Sequence, residues 1–212
     1  MTSYDAVILA GGASRRLASY GSDADKALVQ IDGRTLLECA LAATAGAGRV
    51  VVVGPRREVP GARTALWCRE QPPGGGPVAA IGAGLAHSLA PVVVVLAVDH
   101  PFVNAATIHE LVSAVGSHDG AIAVGADGRT QWLLAAHRRD RLAAAIDAFG
   151  DLAGGRVRDL LAPLDLARVS VGLAALDCDT PTDVAHARAL AEGHRGGTRH
   201  DDTRGVDEGA GR

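Results

Sequence analysis

The chain has 212 residues, a formal net charge of −3 and 3% aromatic residues, which allows one ordinary domain with a core of Ala, Val and Leu. The near-neutral charge and the few aromatic rings exclude a general affinity for nucleic acids or anionic membranes. The longest apolar run, residues 91–98, is too short to span a bilayer, so we expect a cytoplasmic protein with no nucleic-acid or membrane partner.

The first half of the chain alternates short Val-rich runs with Ala- and Leu-rich segments of helical length. The Val-rich runs predict strands at 6–9, 50–53, 65–68 and 92–98. The other pattern predicts helices at 34–45 and 78–88, and a break rich in glycine and proline precedes the second helix.

The second half continues the alternation. Its patterns predict strands at 120–124, 131–136, 167–171 and 175–178, and helices at 105–115, 140–149, 157–161 and 180–192. Strands that alternate with helices indicate an α/β fold, with a mostly parallel central sheet and helices on both faces. Residues 194–212 carry almost no apolar side chain, which predicts a disordered polar tail after a domain spanning residues 1–193.

A glycine-rich and basic segment follows the first predicted strand. Its candidate ligand-binding residues are Leu9, Ala10, Gly11, Gly12, Arg15 and Arg16, with Lys26 further along. Glycine lets backbone N–H groups approach an anion, and the basic side chains neutralise it, so the segment suits a triphosphate. A glycine turn with a solvated basic loop is an equal alternative. The fingerprints G-x-G-x-x-G and G-x-x-x-x-G-K-[ST] are absent there, which argues against a dehydrogenase or a P-loop nucleotidase.

Two acidic positions offer candidate metal ligands. Asp99 follows the most hydrophobic predicted strand, and ligands of parallel sheets bind at such carboxyl ends. Mg²⁺ prefers one or two carboxylates together with phosphate oxygens, and the stretch Asp177-x-Asp179-Thr180-Pro181-x-Asp183 offers a second acidic side chain that the fold can bring near Asp99. The alternatives are a chain-turning role for Asp99 and a helix cap with an acidic first turn for the later stretch.

Glu70 precedes a loop with three consecutive glycines that ends in Gly76 and Pro77. A carboxylate accepts hydrogen bonds only, so Glu70 can accept from both N1–H and N2–H₂ of guanine. The small residues leave room for a flat base against the backbone. A surface glutamate beside an ordinary loop is the alternative.

Four motifs occur in a fixed order along the chain: Leu9-Ala10-Gly11-Gly12-x-x-Arg15-Arg16 with Asp25-Lys26, Gly76-Pro77-Val78-Ala79-Ala80-Ile81, Val98-Asp99-His100-Pro101 and Asp179-Thr180-Pro181-x-Asp183. Together they resemble the nucleotidyltransferases that include molybdenum cofactor guanylyltransferase. The resemblance covers residues 4–192 and implies a three-layer, Rossmann-like nucleotidyltransferase fold. The Ala-Gly-Gly triplet is more similar to the guanylyl members than to the cytidylyl members.

The resemblance implies an enzyme that transfers GMP from GTP to molybdopterin-bound molybdenum cofactor and releases pyrophosphate, with Mg²⁺ as cofactor. It implies that Asp99 and Asp179 bind the metal and that Arg16, Lys26 and Asp99 are catalytic. It assigns the nucleotide to Leu9, Ala10, Gly11, Gly12, Arg15, Lys26, Glu70, Gly76, Pro77 and Asp99. It assigns the pterin, more weakly, to Gly128-Arg129-x-Gln131 and Gly155-Arg156. The implied later partners are molybdoenzyme apoproteins or their chaperones.

The sequence also departs from the family pattern. Additional residues within Ser19–Ala24 separate the arginines from Lys26, Glu70 stands where an aspartate is usual, and Gly54 replaces a common asparagine. A related transferase that uses CTP or another phosphorylated acceptor is therefore an alternative. So are a catalytically weak nucleotide-binding protein and an α/β domain that binds no nucleotide.

Overall fold

The computed structural model of the chain describes residues 2–11 and 25–197. The strands are β1 (Tyr4–Leu9), β2 (Gln30–Ile31), β3 (Arg34–Thr35), β4 (Val50–Val53), β5 (Leu66–Cys68), β6 (Val92–Ala97), β7 (Gly120–Val124), β8 (Thr130–Arg138) and β9 (Leu166–Ser170). The helices are α1 (Leu36–Ala43), α2 (Gly76–Leu85), α3 (Ala105–Ala114), α4 (Arg139–Phe149), α5 (Val157–Leu161) and α6 (Pro181–Gly197).

Seven strands form one sheet in the order β5-β4-β1-β6-β8-β7-β9. Among these described strands, β8 alone runs antiparallel to its neighbours, so the predicted mostly parallel sheet is confirmed. The chain adds β4 and β5 on one side of β1 and then crosses to β6 on the other side. The crevice between the carboxyl ends of β1 and β6 is therefore the point at which doubly wound sheets bind their ligands.

Helices cover both faces of the sheet, as predicted. In β1, Ala6 and Ile8 pack in a cluster with α1 and α3, whereas Val7 and Leu9 pack in a cluster with α2, α4 and α5. This alternation is the two-residue period of a strand that is buried on both faces. A third apolar cluster holds α6 against the small β2–β3 hairpin.

The structure corrects two features of the predicted pattern. The helix predicted at 34–45 begins at Leu36, because Arg34 and Thr35 pair with the preceding strand around the turn residues Asp32 and Gly33, whose φ angles are +52° and +75°. The strand predicted at 175–178 is wrong. Cys178 is buried against α6 and does not pair in the sheet, so its apolar neighbourhood reflects a helix contact.

The last helix extends to Gly197, beyond the predicted end of the domain. Residues 198–212 lie outside the described residues, so the disordered tail stays a prediction. In the part of the chain that the structure describes, no helix is both long enough and apolar enough to cross a bilayer.

Close packing of α2 on the sheet requires a glycine at position 84. A Cβ atom there would lie 2.3 Å from Cγ1 of Val7 and 3.1 Å from Cγ2 of Val53, and both valines are completely buried. These β-branched side chains have few alternative rotamers, so they cannot move aside. At position 82 of the same helix, a Cβ atom would meet Cδ1 of the flexible Leu152 at 3.0 Å.

We therefore expect Gly84→Ala to be less stable than the matched control Gly82→Ala by about 1–3 kcal/mol, the usual cost of overpacking. Both variants gain the same helix propensity, so this gain cancels in the comparison. Urea denaturation of the two variants measures the difference in the free energy of unfolding. Equal stabilities would show that α2 does not press on β1 at this position.

His137 in β8 is a buried base. It is 1% exposed, lies opposite Gly120 in β7, and its Nδ1 has no hydrogen-bond partner among the described residues. Burial lowers the pKa of His137 to about 4. An unfolded histidine titrates near pH 6.5, so between about pH 6.5 and pH 4 the unfolded chain holds a proton that the folded chain lacks.

The stabilisation from neutral His137 is therefore fully present above pH 6.5 and is lost as the pH falls toward 4, by about 3 kcal/mol in total. We expect His137→Gln, which does not titrate, to lose less stability than the wild type over this range. Urea denaturation at pH 7, 5.5 and 4.5 measures the difference, in which the other titrating groups cancel. If the free energy of unfolding falls equally in the two proteins as the pH is lowered, His137 does not have the lowered pKa.

Candidate functional site

A cavity of about 550 Å³ opens in the crevice between the carboxyl ends of β1 and β6. The predicted site residues that line it are Leu9, Gly11, Lys26, Glu70, Gly76, Pro77 and Asp99. A cavity of similar size, about 570 Å³, lies beside α1 and is lined by none of the predicted site residues. The residues singled out from the sequence thus converge on the crevice that the strand order also indicates.

The other predicted site residues are not among the described residues that line the cavity. Ala10 is buried in the core and does not line the cavity, and its backbone N–H donates to the carbonyl of Val53 at 2.9 Å. Asp179 reaches the site through its contact with Lys26. The predicted phosphate-binding residues Gly12, Arg15 and Arg16 lie outside the described residues, as does the additional segment Ser19–Ala24.

Lys26 joins the two predicted metal ligands. Its Nζ donates to Oδ2 of Asp99 at 2.9 Å and to Oδ1 of Asp179 at 2.5 Å. Burial by itself lowers the pKa of Lys26, but the two carboxylates outweigh burial and raise this pKa above its usual value. The ammonium group therefore stays charged at neutral pH. Lys26 is also the single lysine in the sequence, whose other basic side chains are arginines and histidines.

Backbone contacts bring the two aspartates together. The carbonyl of Asp99 accepts a hydrogen bond from the N–H of Cys178 at 2.9 Å, which ties the end of β6 to the segment before α6. Oδ2 of Asp183 accepts from the N–H groups of Asp179 and Thr180 at 3.0 and 2.7 Å. Asp183 thus caps the start of α6, and the side chain of Asp179 is available to contact Lys26.

His100 directly follows Asp99 and contacts it, a role that no sequence pattern indicated. It is 3% exposed, and its Nδ1 lies 3.3 Å from the carbonyl oxygen of Leu176, which can only accept a hydrogen bond. Its Nε2 lies 3.6 Å from Oδ1 of Asp99. Burial by itself raises the pKa of Asp99, but His100 and Lys26 together hold it below its usual value. Asp99 is therefore a carboxylate at neutral pH.

The carboxylate pair suits a divalent cation. Asp99 and Asp179 both contact the ammonium of Lys26, and Oδ1 of Asp99 is buried without a hydrogen-bond partner in the described part of the chain. Within residues 2–11 and 25–197 there is no cluster of three acidic, histidine or cysteine side chains that could hold a metal alone. Two carboxylates match Mg²⁺, which takes its remaining ligands from water and phosphate oxygens.

Glu70 is buried at the cavity, which rules out the alternative of a surface glutamate. The residue is 6% exposed, and its Oε1 accepts from the N–H of Gly74 at 2.9 Å. Its Oε2 is buried with no partner among the residues described. The glycine loop is itself anchored, since the N–H of Gly154 donates to the carbonyl of Gly75 at 2.8 Å. A buried acceptor without a donor is costly, so this oxygen favours a ligand that brings an N–H group.

The stretches that the resemblance associates with a pterin lie outside the described lining of the cavity. Gly128 and Arg129 lie in the turn between β7 and β8, and Gln131 lies at the start of β8, at the edge of the sheet where β6 also ends. Arg129 lies 3.8 Å from Oδ2 of Asp177 and is 65% exposed. Gly155 and Arg156 directly follow the Gly154 contact with the glycine loop.

The sequence model of one protein family, described as the MobA-like NTP transferase domain, matches residues 6–169 of the chain. No curated protein sequence matches the chain.

Several solved structures share the fold. Molybdopterin-guanine dinucleotide biosynthesis protein A from Archaeoglobus fulgidus is 22% identical, with a TM-score of 0.67 over 89% of this chain and 99% of that one. The 2-C-methyl-D-erythritol 4-phosphate cytidylyltransferase from Thermus thermophilus is 23% identical, with a TM-score of 0.68 over 91% of this chain and 100% of that one. A nucleotidyl transferase from Methanothermobacter thermautotroptrophicus is 20% identical, with a TM-score of 0.68 over 92% of this chain and 100% of that one.

These likenesses confirm the three-layer nucleotidyltransferase fold. The family match extends from β1 into β9 and includes all the described residues that line the cavity. The protein belongs to the MobA-like NTP transferase domain family and is a nucleotidyltransferase.

Proposed function

We propose that the protein transfers GMP from GTP to molybdopterin-bound molybdenum cofactor and releases pyrophosphate. The observation that carries the choice of GTP is the buried Oε2 of Glu70, which has no partner in the described part of the cavity. The Watson–Crick edge of guanine offers two adjacent donors, N1–H and N2–H₂, to a group that only accepts. Cytosine offers one donor beside two acceptors, and these two acceptors would be repelled by the carboxylate oxygens.

The reaction would be a direct displacement. An oxygen of the acceptor phosphate forms a bond to the α-phosphorus of GTP, and the bond from this phosphorus to the pyrophosphate oxygen breaks. Lys26 would neutralise the negative charge that builds up on the phosphates, and Leu9 and Gly11 would leave space for the nucleotide along the backbone. The acceptor is itself the nucleophile, so no covalent enzyme intermediate is needed.

Nucleotidyltransferases of this family typically use a divalent metal ion. We propose Mg²⁺, held by Asp99 and Asp179, and Arg16 and Arg15 as further phosphate contacts. A bound Mg²⁺ supplies positive charge for the phosphate oxygens that become more negative during the reaction. The role of Asp99 and Asp179 is to hold this charge in place, and the role of His100 is to keep Asp99 ionised.

The acceptor is proposed from the two basic stretches. Arg129 lies in the turn before β8, at the sheet edge where β6 ends, Arg156 follows the Gly154 contact with the glycine loop, and the terminal phosphate of molybdopterin is an anion of matching charge. The product would pass to molybdoenzyme apoproteins or their chaperones.

The test is to incubate the protein with Mg²⁺, molybdopterin-bound molybdenum and one nucleoside triphosphate at a time, and to measure pyrophosphate. We expect release with GTP, little release with CTP or ATP, and none when the acceptor is omitted. Release with CTP would instead favour the cytidylyl alternative. A rise in the unfolding temperature with GTP but no pyrophosphate with any acceptor would identify a binding protein without this activity.

Glu70→Gln tests base recognition directly. The amide replaces one acceptor by a donor, so we expect kcat/KM for GTP to fall about 10–100-fold, the value of one bidentate base contact. The ratio of GTP to CTP turnover should fall with it. Glu58→Gln is the matched control, because the Glu58 side chain is 78% exposed and lies outside the cavity lining. An unchanged GTP preference would remove Glu70 from the base site.

A further inference from the structure

Arg57 lies in the loop after β4, outside the cavity lining, and yet it is bonded to the segment that carries Lys26. Its Nε and Nη2 donate to Oδ2 and Oδ1 of Asp25 at 2.5 and 2.8 Å. Its Nη1 donates to the carbonyl of Pro55 at 2.9 Å. The side chain is 9% exposed, so this guanidinium is held in one place between its own loop and Asp25.

Asp25 transmits this constraint to the neighbouring residues. Its Oδ1 also accepts from the N–H of Ala27 at 3.1 Å, which caps the short 3-10 turn Lys26–Leu28. Ala27 is 1% exposed and packs in the core cluster that contains Ile8. Lys26 therefore stands between two fixed neighbours, one held by Arg57 and the other held by the core.

The geometry of the contact requires an arginine. Two parallel N–H···O bonds fix both the position and the plane of a carboxylate, which the single ammonium of a lysine cannot do. Lys26 must place one nitrogen on a phosphate with similar accuracy, because an error near 1 Å in a positioned group can lower the rate by about 10²-fold. The position of the loop after β4 is thus coupled, through Arg57 and Asp25, to the position of the Lys26 ammonium group in the cavity.

We propose that Arg57 is a positioning residue that acts through Asp25 to set the place of Lys26 in the triphosphate site. The inference rests on the proposed function only for the statement that Lys26 binds the triphosphate. It assigns a role to a residue that is not among the described cavity-lining residues and has no hydrogen bond to the proposed metal ligands among the described residues.

The test compares GTP binding in the presence of Mg²⁺ by isothermal titration calorimetry. We expect Arg57→Gln to weaken binding about 10–100-fold. Asp25→Asn keeps an oxygen for the Ala27 cap and loses the charge that pairs with Arg57, so it should weaken binding similarly. The double variant should be no weaker than either single variant, because both substitutions break the same link. If Arg57→Gln does not fold, Asp25→Asn carries the same expectation.

Lys26→Ala separates positioning from a general structural role. On this background Arg57→Gln should have no further effect on GTP binding, because the group that it positions is gone. An undiminished effect of Arg57→Gln on this background would overturn the proposal, as would GTP binding by Arg57→Gln equal to that of the wild type. Arg56→Gln is the matched control, because Arg56 is the adjacent arginine with a side chain that is 66% exposed, and we expect wild-type binding.

A spectroscopic measurement reports on Lys26 itself. Because the sequence has one lysine, protein grown with [ε-¹³C]lysine gives one lysine ε signal. We expect Arg57→Gln and Asp25→Asn to move this signal and Arg56→Gln to leave it in place. An unmoved signal in Arg57→Gln would overturn the proposal. If Lys26→Ala itself binds GTP like the wild type, the proposed triphosphate role of Lys26 fails and the inference fails with it. If Lys26→Ala weakens GTP binding but Arg57→Gln binds GTP like the wild type, the positioning role of Arg57 alone fails.

Discussion

Replacing Asp99 by asparagine is expected to lower kcat by roughly two to four orders of magnitude with the fold intact. The carboxylate is ionised, has a buried oxygen without a partner among the described residues, and shares Lys26 with Asp179. An amide has nearly the same shape but no charge to hold a divalent cation. Pyrophosphate release under saturating GTP and Mg²⁺ measures the loss.

The control for Asp99→Asn is Asp147→Asn, which removes an exposed carboxylate on α4. We expect this control to have wild-type kcat. The unfolding temperatures of both variants show whether the fold is retained. A wild-type kcat in a folded Asp99→Asn protein would remove Asp99 from the proposed metal site.

Lys26→Ala is expected to change nucleotide and metal binding in opposite directions. Loss of the cation should lower kcat/KM for GTP by about 10²–10³-fold, the usual effect of removing one electrostatic contact to the reacting group. The same loss leaves Asp99 and Asp179 without the ammonium that they share, so Mn²⁺ added without nucleotide should bind about tenfold more tightly.

Electron paramagnetic resonance of free Mn²⁺ measures this second effect without any turnover. Lys26→Arg is the control, because it keeps the positive charge and should keep the weaker Mn²⁺ binding of the wild type. Equal Mn²⁺ affinities in Lys26→Ala and the wild type would show that the lysine and the metal do not compete for the carboxylates.

The sequence predicted most of the fold because its strands are continuous β-branched runs. Val50–Val53 is the observed β4 without change, and Val92–Ala97 is one residue shorter than predicted. The direction of β8 was not predictable, because an apolar run buried on both faces has the same pattern in either orientation. Strands of two residues, such as those around Asp32 and Gly33, are too short to show a period, although Asp-Gly is itself a hairpin signal.

The site was predictable in part. Because the carboxyl ends of parallel strands meet at one edge, Gly11 and Asp99 were expected to lie close together, and both line the cavity. The burial of Glu70 depends on how the glycine loop folds, which no local pattern specifies. No sequence pattern indicated a role for Arg57. Both residues of the pair Arg56-Arg57 suggest a solvated loop, and only the tertiary fold buries the side chain of the second.

The contact of Lys26 with both aspartates has a consequence for the resting protein. Two neighbouring carboxylates repel each other and ordinarily recruit a dissolved cation, but here the chain carries its own tethered counter-ion. A tethered ion cannot diffuse away or be removed by a chelator, so the integrity of this acidic site does not depend on the supply of divalent metal ions around it. On the proposed mechanism, removal of the metal ion would therefore leave a folded, inactive protein, and activity would return when the metal ion is added back.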